Sequence, residues 1–320
     1  MEKMLMVSSS PHVKASHTTK SIMLDVIIAL IPALVAAIYF YGLHALLLTI
    51  VSVVCCVGFE WIWEKVFKRT ITIGDLSAVV TGILLAYNVP ANAPVYVVVV
   101  GAFIAIILAK QIFGGIGQNF INPALAARAF LLAGYSTSMR SFMKPLPGQF
   151  LVDVDAVTGA TPLELMKNGL NEQLPSLWDA FIGNIGGCIG EVSALALLMG
   201  ALYLLIKKVI SWHIPVCYLG SVFVLTTFLN GFDVYQSFYS LFLGGLILGA
   251  FFMATDYTTT PMTVKGQVIF ALGAGVITTL VRLYGGYPEG VSYSILLMNL
   301  VVPLIDKYVK VRRFGEGAKA

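Results

Sequence analysis

The sequence predicts an all-α, polytopic membrane protein of about ten transmembrane helices. Three observations carry that expectation. Hydrophobic residues make up 58% of the chain and charged residues 11%, against about 25% charged in a soluble domain; the mean hydropathy is +0.88. Apolar runs of near-spanning length follow one another from residue 22 onward. Lysine and arginine collect in alternate loops between those runs, as the positive-inside rule asks of cytoplasmic loops. The net charge of +4 does not point to nucleic acid, because the basic residues are spread along loops and not clustered.

Residues 1–21 read as a polar cytoplasmic arm with Lys3, Lys14 and Lys20. The spans are expected at 22–41, 44–66, 75–89, 93–113, 122–135, 180–206, 213–230, 235–254, 267–283 and 291–305. The third and fifth are short, and the fifth carries Arg128. This divides the chain into a first membrane half at 22–135, a loop at 136–179, a second half at 180–305 and a tail at 306–320. No signal peptide is expected, since the first apolar run begins late and lacks a cleavage site. An inside start puts Lys65, Lys68, Arg69, Lys110, Lys207, Lys208 and Lys265 on the cytoplasmic side, together with the basic tail. The opposite side keeps only Arg140, Lys144 and Lys167, all in the long loop. Both termini are therefore expected in the cytoplasm, with a multi-pass chain in the cytoplasmic (inner) membrane and the loop outside.

The run Thr81–Ala86 followed by Pro90 echoes Gly244–Ala250 followed by Pro261, each in the third span of its half. Five spans per half would make the halves an inverted repeat, an arrangement that places sites at the repeat interface. Cys55, Cys56, Cys188 and Cys217 all fall within apolar runs without a Cys-x-x-Cys spacing. They are expected as packing residues, with no disulfide framework and no metal site.

The longest polar interval holds Asp155-Ala156-Val157-Thr158-Gly159-Ala160-Thr161-Pro162. A loop held at a membrane surface is a natural place for function. Gly159 and Ala160 have almost no side chain, so another protein's active site could reach the Thr161 hydroxyl, with Asp155 as a charged handle. The plain structural reading is a turn, with Gly159 at positive φ and Thr161 capping a helix that starts at Pro162. The two readings are compatible.

Asp155-x-x-Thr158-Gly159-Ala160-Thr161 resembles the flavinylation motif of the Rnf and sodium-translocating NADH:quinone reductase family. The resemblance implies FMN joined through its phosphate to the last threonine, Thr161. It also implies a flavin transferase as the modifying partner. Three further stretches are similar to that family and in the same order, one of them the Gly186-Gly187-Cys188-Ile189-Gly190-Glu191 run taken up below. Gly114-Gly115-Ile116-Gly117-Gln118-Asn119-Phe120-Ile121-Asn122-Pro123 joins spans four and five. Ala254-Thr255-Asp256 closes span eight. Asn119, Asn122 and Arg128 offer polar groups in an apolar setting, and Thr255 and Asp256 could hold a flavin ring edge or ribityl chain. The resemblance thus leaves room for a second, non-covalent flavin such as riboflavin. The bland alternatives are a re-entrant turn satisfied by its own asparagines, and a helix end at Asp256 before a cap at Thr260 or Thr263.

Gly186-Gly187-Cys188-Ile189-Gly190-Glu191 opens the sixth span, where Glu191 is read as deep and Asp25, in the first span, as shallow. An ionisable group in a span is costly and marks function by default. Glu191 is the candidate for ion coupling, against the alternative of a hydrogen bond between helices. The short N-terminal arm favours the Rnf branch of the family. That resemblance implies a subunit of an ion-translocating ferredoxin:NAD oxidoreductase. Its partners would be RnfA, RnfB, RnfC, RnfE and RnfG, the flavin transferase and membrane lipid, with no nucleic acid. A secondary transporter or channel would suit an inverted repeat equally well; only the loop motif and the ordered stretches discriminate.

Overall fold

The computed structural model describes residues 18–149, 159–286 and 289–310. Its helices run α1 Thr19–Tyr41, α2 Leu43–Val66, α3 Ser77–Tyr87, α4 Val95–Gln111, α5 Pro123–Gly134, α6 Ser136–Arg140 and α7 Pro162–Lys167. They continue as α8 Leu177–Ile182, α9 Ala194–Ile206, α10 His213–Leu229, α11 Val234–Leu241, α12 Leu246–Met253, α13 Val264–Tyr284 and α14 Val291–Tyr308. Among the described residues there is no strand, only an isolated antiparallel bridge between Pro90 and Cys188.

Four helices, α1, α2, α13 and α14, are long and apolar enough to cross a membrane. The pair α11–α12 makes a fifth, bent by 62°. The apolar helices α3, α4, α5, α9 and α10 are shorter. Each falls on an expected span. Many begin where a short polar side chain takes an otherwise orphaned N–H. Thr18 accepts from Ser21 N, Ser193 from Ala196 N and Thr263 from Gly266 N.

Two spans depart from the expectation. The sixth is not continuous over 180–206. Helix α8 ends at Gly183, a non-helical break follows, and α9 starts only at Ala194. Glu191 therefore sits in a 3-10 turn, Ile189–Glu191, and not deep in a helix. The eighth span bends at Gly244 and Gly245, with φ of 58° and 57°. That left-handed region is costly for other L-residues. Irregular backbone of this kind is tolerated at membrane depth only where protein or water covers it. The break is covered: the Tyr41 hydroxyl accepts from Gly187 N and donates to Ile185 and Gly187 carbonyls, and Ile189 N donates to Val89 O.

Helix α1 packs along α9, α2 along α3, and α10 along α13, while α5 meets α14. Small residues allow the closest of these approaches. A Cβ at Gly200 would lie 1.9 Å from the Ala29 carbonyl oxygen, so α9 can sit on α1 only with glycine there. Helices α4 and α12 both relax into π-helix, at Ile104–Gln111 and Gly249–Met253, a distortion common at functional sites.

Candidate functional site

Three polar places stand out in this apolar body. The first is the loop carrying Thr161. Thr161 is the N-cap of α7, its Oγ1 accepting from Glu164 N at 3.3 Å, with Pro162 in the first helical position. The residue is only 5% exposed. Leu163, two residues on, packs with Ala180, Ile185, Tyr239 and Leu243 and so seats α7 against the second half. The small size of Gly159 serves a close contact: a Cβ there would lie 3.0 Å from Lys144 Cε. Beside Gly159 and Ala160 opens a basin of about 610 Å³ bounded by Ser136, Thr137, Arg140, Ser141 and Glu164. Asp155 and Thr158 lie outside the described residues.

The second place is a cavity of about 420 Å³, within the roughly 300–1,000 Å³ of small-molecule sites. Its walls are apolar, with Met23, Val80, Leu84 and Phe252, and its polar groups come from distant parts of the chain: Ser77, Lys110, Asn119, Asn122, Thr255 and Asp256. Both π-helical segments contribute, through Lys110 and through Phe251 and Phe252. Asn122 caps α5 by accepting from Ala124 N and Leu125 N, and its amide donates to Met253 O at 3.3 Å. Asn119 donates to Ile121 O. Asp256 Oδ2 accepts from the hydroxyls of Thr258 and Thr259. Burial pushes the Asp256 carboxyl up, and those two hydroxyls pull it partly back.

The third place is a buried ion cluster. Arg128 donates to Asn88 Oδ1 at 2.6 Å and to Glu191 Oε1 at 2.9 Å, and pairs with Glu289. Cys188, Glu191 and Glu289 bring their ligand atoms within 4.8 Å of one another. A small cavity joins Glu191 and Glu289 to Thr161.

A family model described as NQR2, RnfD, RnfE family matches residues 6–315. The chain belongs to this family. It is 54% identical over 313 residues to the D subunit of the Na(+)-translocating ferredoxin:NAD(+) oxidoreductase complex of Acetobacterium woodii, covering 97% of this chain and 95% of that protein. It is 46% identical to the D subunit of the proton-translocating ferredoxin:NAD(+) oxidoreductase complex of Clostridium ljungdahlii, covering 97% and 96%. It is 36% identical to the D subunit of an ion-translocating oxidoreductase complex of Shewanella amazonensis, covering 97% of each.

In this family member the polar residues singled out in the sequence divide among the three places. Asn119, Asn122, Thr255 and Asp256 meet in one cavity, although the two stretches are more than a hundred residues apart. Arg128 does not join them; it turns to Glu191 instead. The bland readings hold as well: Asn122 caps α5, and Thr263, not Thr260, caps α13. Asp25 accepts a hydrogen bond from Tyr203 of α9, at 2.7 Å.

Sequence reasoning missed two sets of residues. Lys110, counted among the cytoplasmic cations, is only 3% exposed and donates to Glu60 Oε1 at 2.7 Å and Ser77 Oγ at 2.6 Å. Gln111 also donates to Glu60 Oε1. The available signal was Glu60, an acid inside an apolar span. Glu289 was missed because it follows the ninth span in what reads as an ordinary turn.

Proposed function

We propose that this chain is the RnfD-type membrane component of an ion-translocating ferredoxin:NAD(+) oxidoreductase complex, carrying FMN as a phosphoester on Thr161. The names of its relatives support the complex and the oxidoreductase activity. The observation that carries the flavin reading is a basin large enough for a flavin whose wall includes Gly159 and Ala160, the two residues before Thr161, together with Arg140, and the Lys144 stem lies against Gly159. The basin's hydroxyls and guanidinium suit the polar ribityl and phosphate parts, and Phe142 offers apolar surface. When bound, the flavin supplies electron transfer; the protein supplies position and environment. The ester oxygen at Thr161 keeps a lone pair for the Glu164 N–H, so the cap of α7 and the attachment can coexist. A hydroxyl this buried is beyond the reach of a transferase, so attachment occurs with α7 lifted from its seat.

The 420 Å³ cavity fits a second, non-covalent flavin such as riboflavin. Asn119, Asn122, Thr255 and Asp256 would meet its polar edges, and Met23, Val80 and Leu84 its faces. Arg128 acts outside that pocket, and Glu191 serves ion coupling. The two halves, 22–135 and 180–305, form an inverted repeat with both termini in the cytoplasm and the Thr161 loop outside. RnfA, RnfB, RnfC, RnfE and RnfG are the partner subunits.

The test is the intact mass of the protein purified from cells that also express the flavin transferase. One FMN less water above the sequence mass supports the reading. An unmodified mass from those cells rejects it.

A further inference from the structure

Among the described residues, the basic side chain in the wall of the large cavity is that of Lys110. It is 3% exposed. An ammonium has three N–H donors and no acceptor. Two donors are placed, on Glu60 Oε1 at 2.7 Å and on Ser77 Oγ at 2.6 Å. Both acceptors are themselves held. Glu60 Oε1 also takes the Gln111 amide, and the Ser77 hydroxyl donates to Asp75 Oδ1. Adjacent residues do not share a face of an α-helix; in the π-helical stretch Ile104–Gln111, Lys110 and Gln111 converge on one carboxylate oxygen. The third N–H of Lys110 has no acceptor among the described residues, and the space it borders is the cavity. A buried charged donor left so is costly. A ligand that fits this cavity therefore has an acceptor at that end.

Other titratable groups surround this ammonium. Glu60, Glu64 and Cys56 lie on α2, Arg69 follows α2 and donates to the Gln111 carbonyl, and Asp75 precedes α3. None of these borders the cavity, whereas Asp256 does, and burial pushes its carboxyl up toward the neutral form. Glu60 offsets the lysine charge in part, but a ligand meets the ammonium before it meets that carboxylate. In so apolar a setting a direct contact with the ammonium is worth far more than in water.

Resting on the second-flavin reading above, we infer that Lys110 sets the reduction potential of the flavin in this cavity, its third N–H donating to the N1–C2 carbonyl edge of the ring. Charge near that edge is one of the means by which a protein tunes a flavin. Two electrons and one proton, the proton going to N5, convert the oxidised ring to the anionic hydroquinone. The electrons are those of the complex's own oxidoreductase reaction. The oxidised ring is neutral, and the negative charge of the product collects on N1 and the C2 oxygen. An ammonium at that edge therefore stabilises the reduced form over the oxidised one. Glu60 and Ser77 are positioning residues that hold the ammonium there.

The test uses the purified, intact complex. Acid extraction counts riboflavin, which lacks the phosphate of FMN, and leaves covalent flavin on the protein. Val80→Trp fills the cavity and should remove one riboflavin per complex. The spectroelectrochemical difference between wild type and Val80→Trp then isolates the couple of the cavity flavin. Lys110→Met combined with Glu60→Met removes both buried charges and so spares the fold; complexes of low occupancy are loaded with riboflavin and desalted before titration. The equilibrium constant for two-electron reduction should fall at least about tenfold in the double variant, a shift of about 30 mV to lower potential. If the double variant fails to assemble, Lys110→Gln, which keeps an N–H for Glu60 and removes the charge, takes its place with the same expectation. A merely structural lysine predicts a wild-type potential in the loaded variant, and that result overturns the role of Lys110 while the second flavin stands. Riboflavin undiminished in Val80→Trp, or absent from the wild-type extract, overturns both.

Discussion

Replacing Lys110 by Met tests the most consequential pair that the sequence concealed. Lys110 Nζ lies 2.7 Å from Glu60 Oε1 with both side chains buried. At an effective dielectric of about 20, their gross attraction is on the order of 6 kcal/mol. Desolvating each ion costs several kcal/mol, so the intact pair is close to neutral in net stability. Removing one partner is different. Lys110→Met leaves Glu60 with only the Gln111 amide, an uncompensated buried charge worth about 3–5 kcal/mol of destabilisation. By the scaling of globular chains this lowers the midpoint on the order of 10 °C. Lys110→Met combined with Glu60→Met removes both charges, and most of the loss should return. The assay is the apparent melting temperature of the detergent-purified complex, followed by size exclusion after heating. A silent single variant, or a double variant no better than the single, would refute the reasoning.

Three other outcomes are expected. Thr161→Ala removes the α7 cap at about 1 kcal/mol and abolishes flavin fluorescence of the denatured band, while Thr161→Ser preserves the fold. Burial raises the Asp256 carboxyl, so the folded state favours its protonated form. Its contribution to stability is fully present below the ordinary carboxylate range and is lost as pH rises through the elevated value; Asp256→Asn should flatten that part of a melting-temperature profile, which begins at the ordinary carboxylate value of about 4 and runs upward from it. Reporter fusions should read extracytoplasmic near Gly169 and cytoplasmic near Lys265, and the reverse result would overturn the topology.

Class and element order were legible because they depend on local quantities. Composition, run length and short polar caps name a membrane helix without any knowledge of its neighbours. Thr161 as an N-cap before Pro162 is such a local fact. The meeting of Asn119 and Asn122 with Thr255 and Asp256 was legible in another way, through the resemblance, which supplies tertiary context that spacing lacks. What stayed hidden depends on distance in the chain. Glu60 and Lys110 are 50 residues apart, so nothing in the sequence joins the acid of one span to the lysine of another. The break from Gly183 to Ser193 was hidden because hydropathy counts apolar residues and is blind to whether their backbone is helical. Glu191 was rightly marked as costly, but its partner Arg128 was assigned to the wrong neighbourhood, since a turn and a half of α5 separates it from Asn122 in space as well as in sequence.

That separation makes α5 the physical link between the two ends of the molecule. Asn122 caps it within the large cavity, and Arg128 reaches the ion cluster from its middle. A second thread runs beside it. Asn122 donates to the Met253 carbonyl, Met253 sulfur receives the Asn88 amide at 3.7 Å, and Asn88 Oδ1 takes Arg128. Every member of this thread is buried, where an unpaired polar group is costly and each hydrogen bond constrains the next. The π-helical stretch that ends at Met253 and the break that holds Glu191 are two places where backbone hydrogen bonding departs from the α pattern. Contiguity does not itself transmit energy; an element with two arrangements does. One side of each irregular stretch faces a candidate site. Asn122, Met253, Asn88 and Arg128 thus form a continuous run of buried contacts from the large cavity to the Glu191–Glu289 cluster.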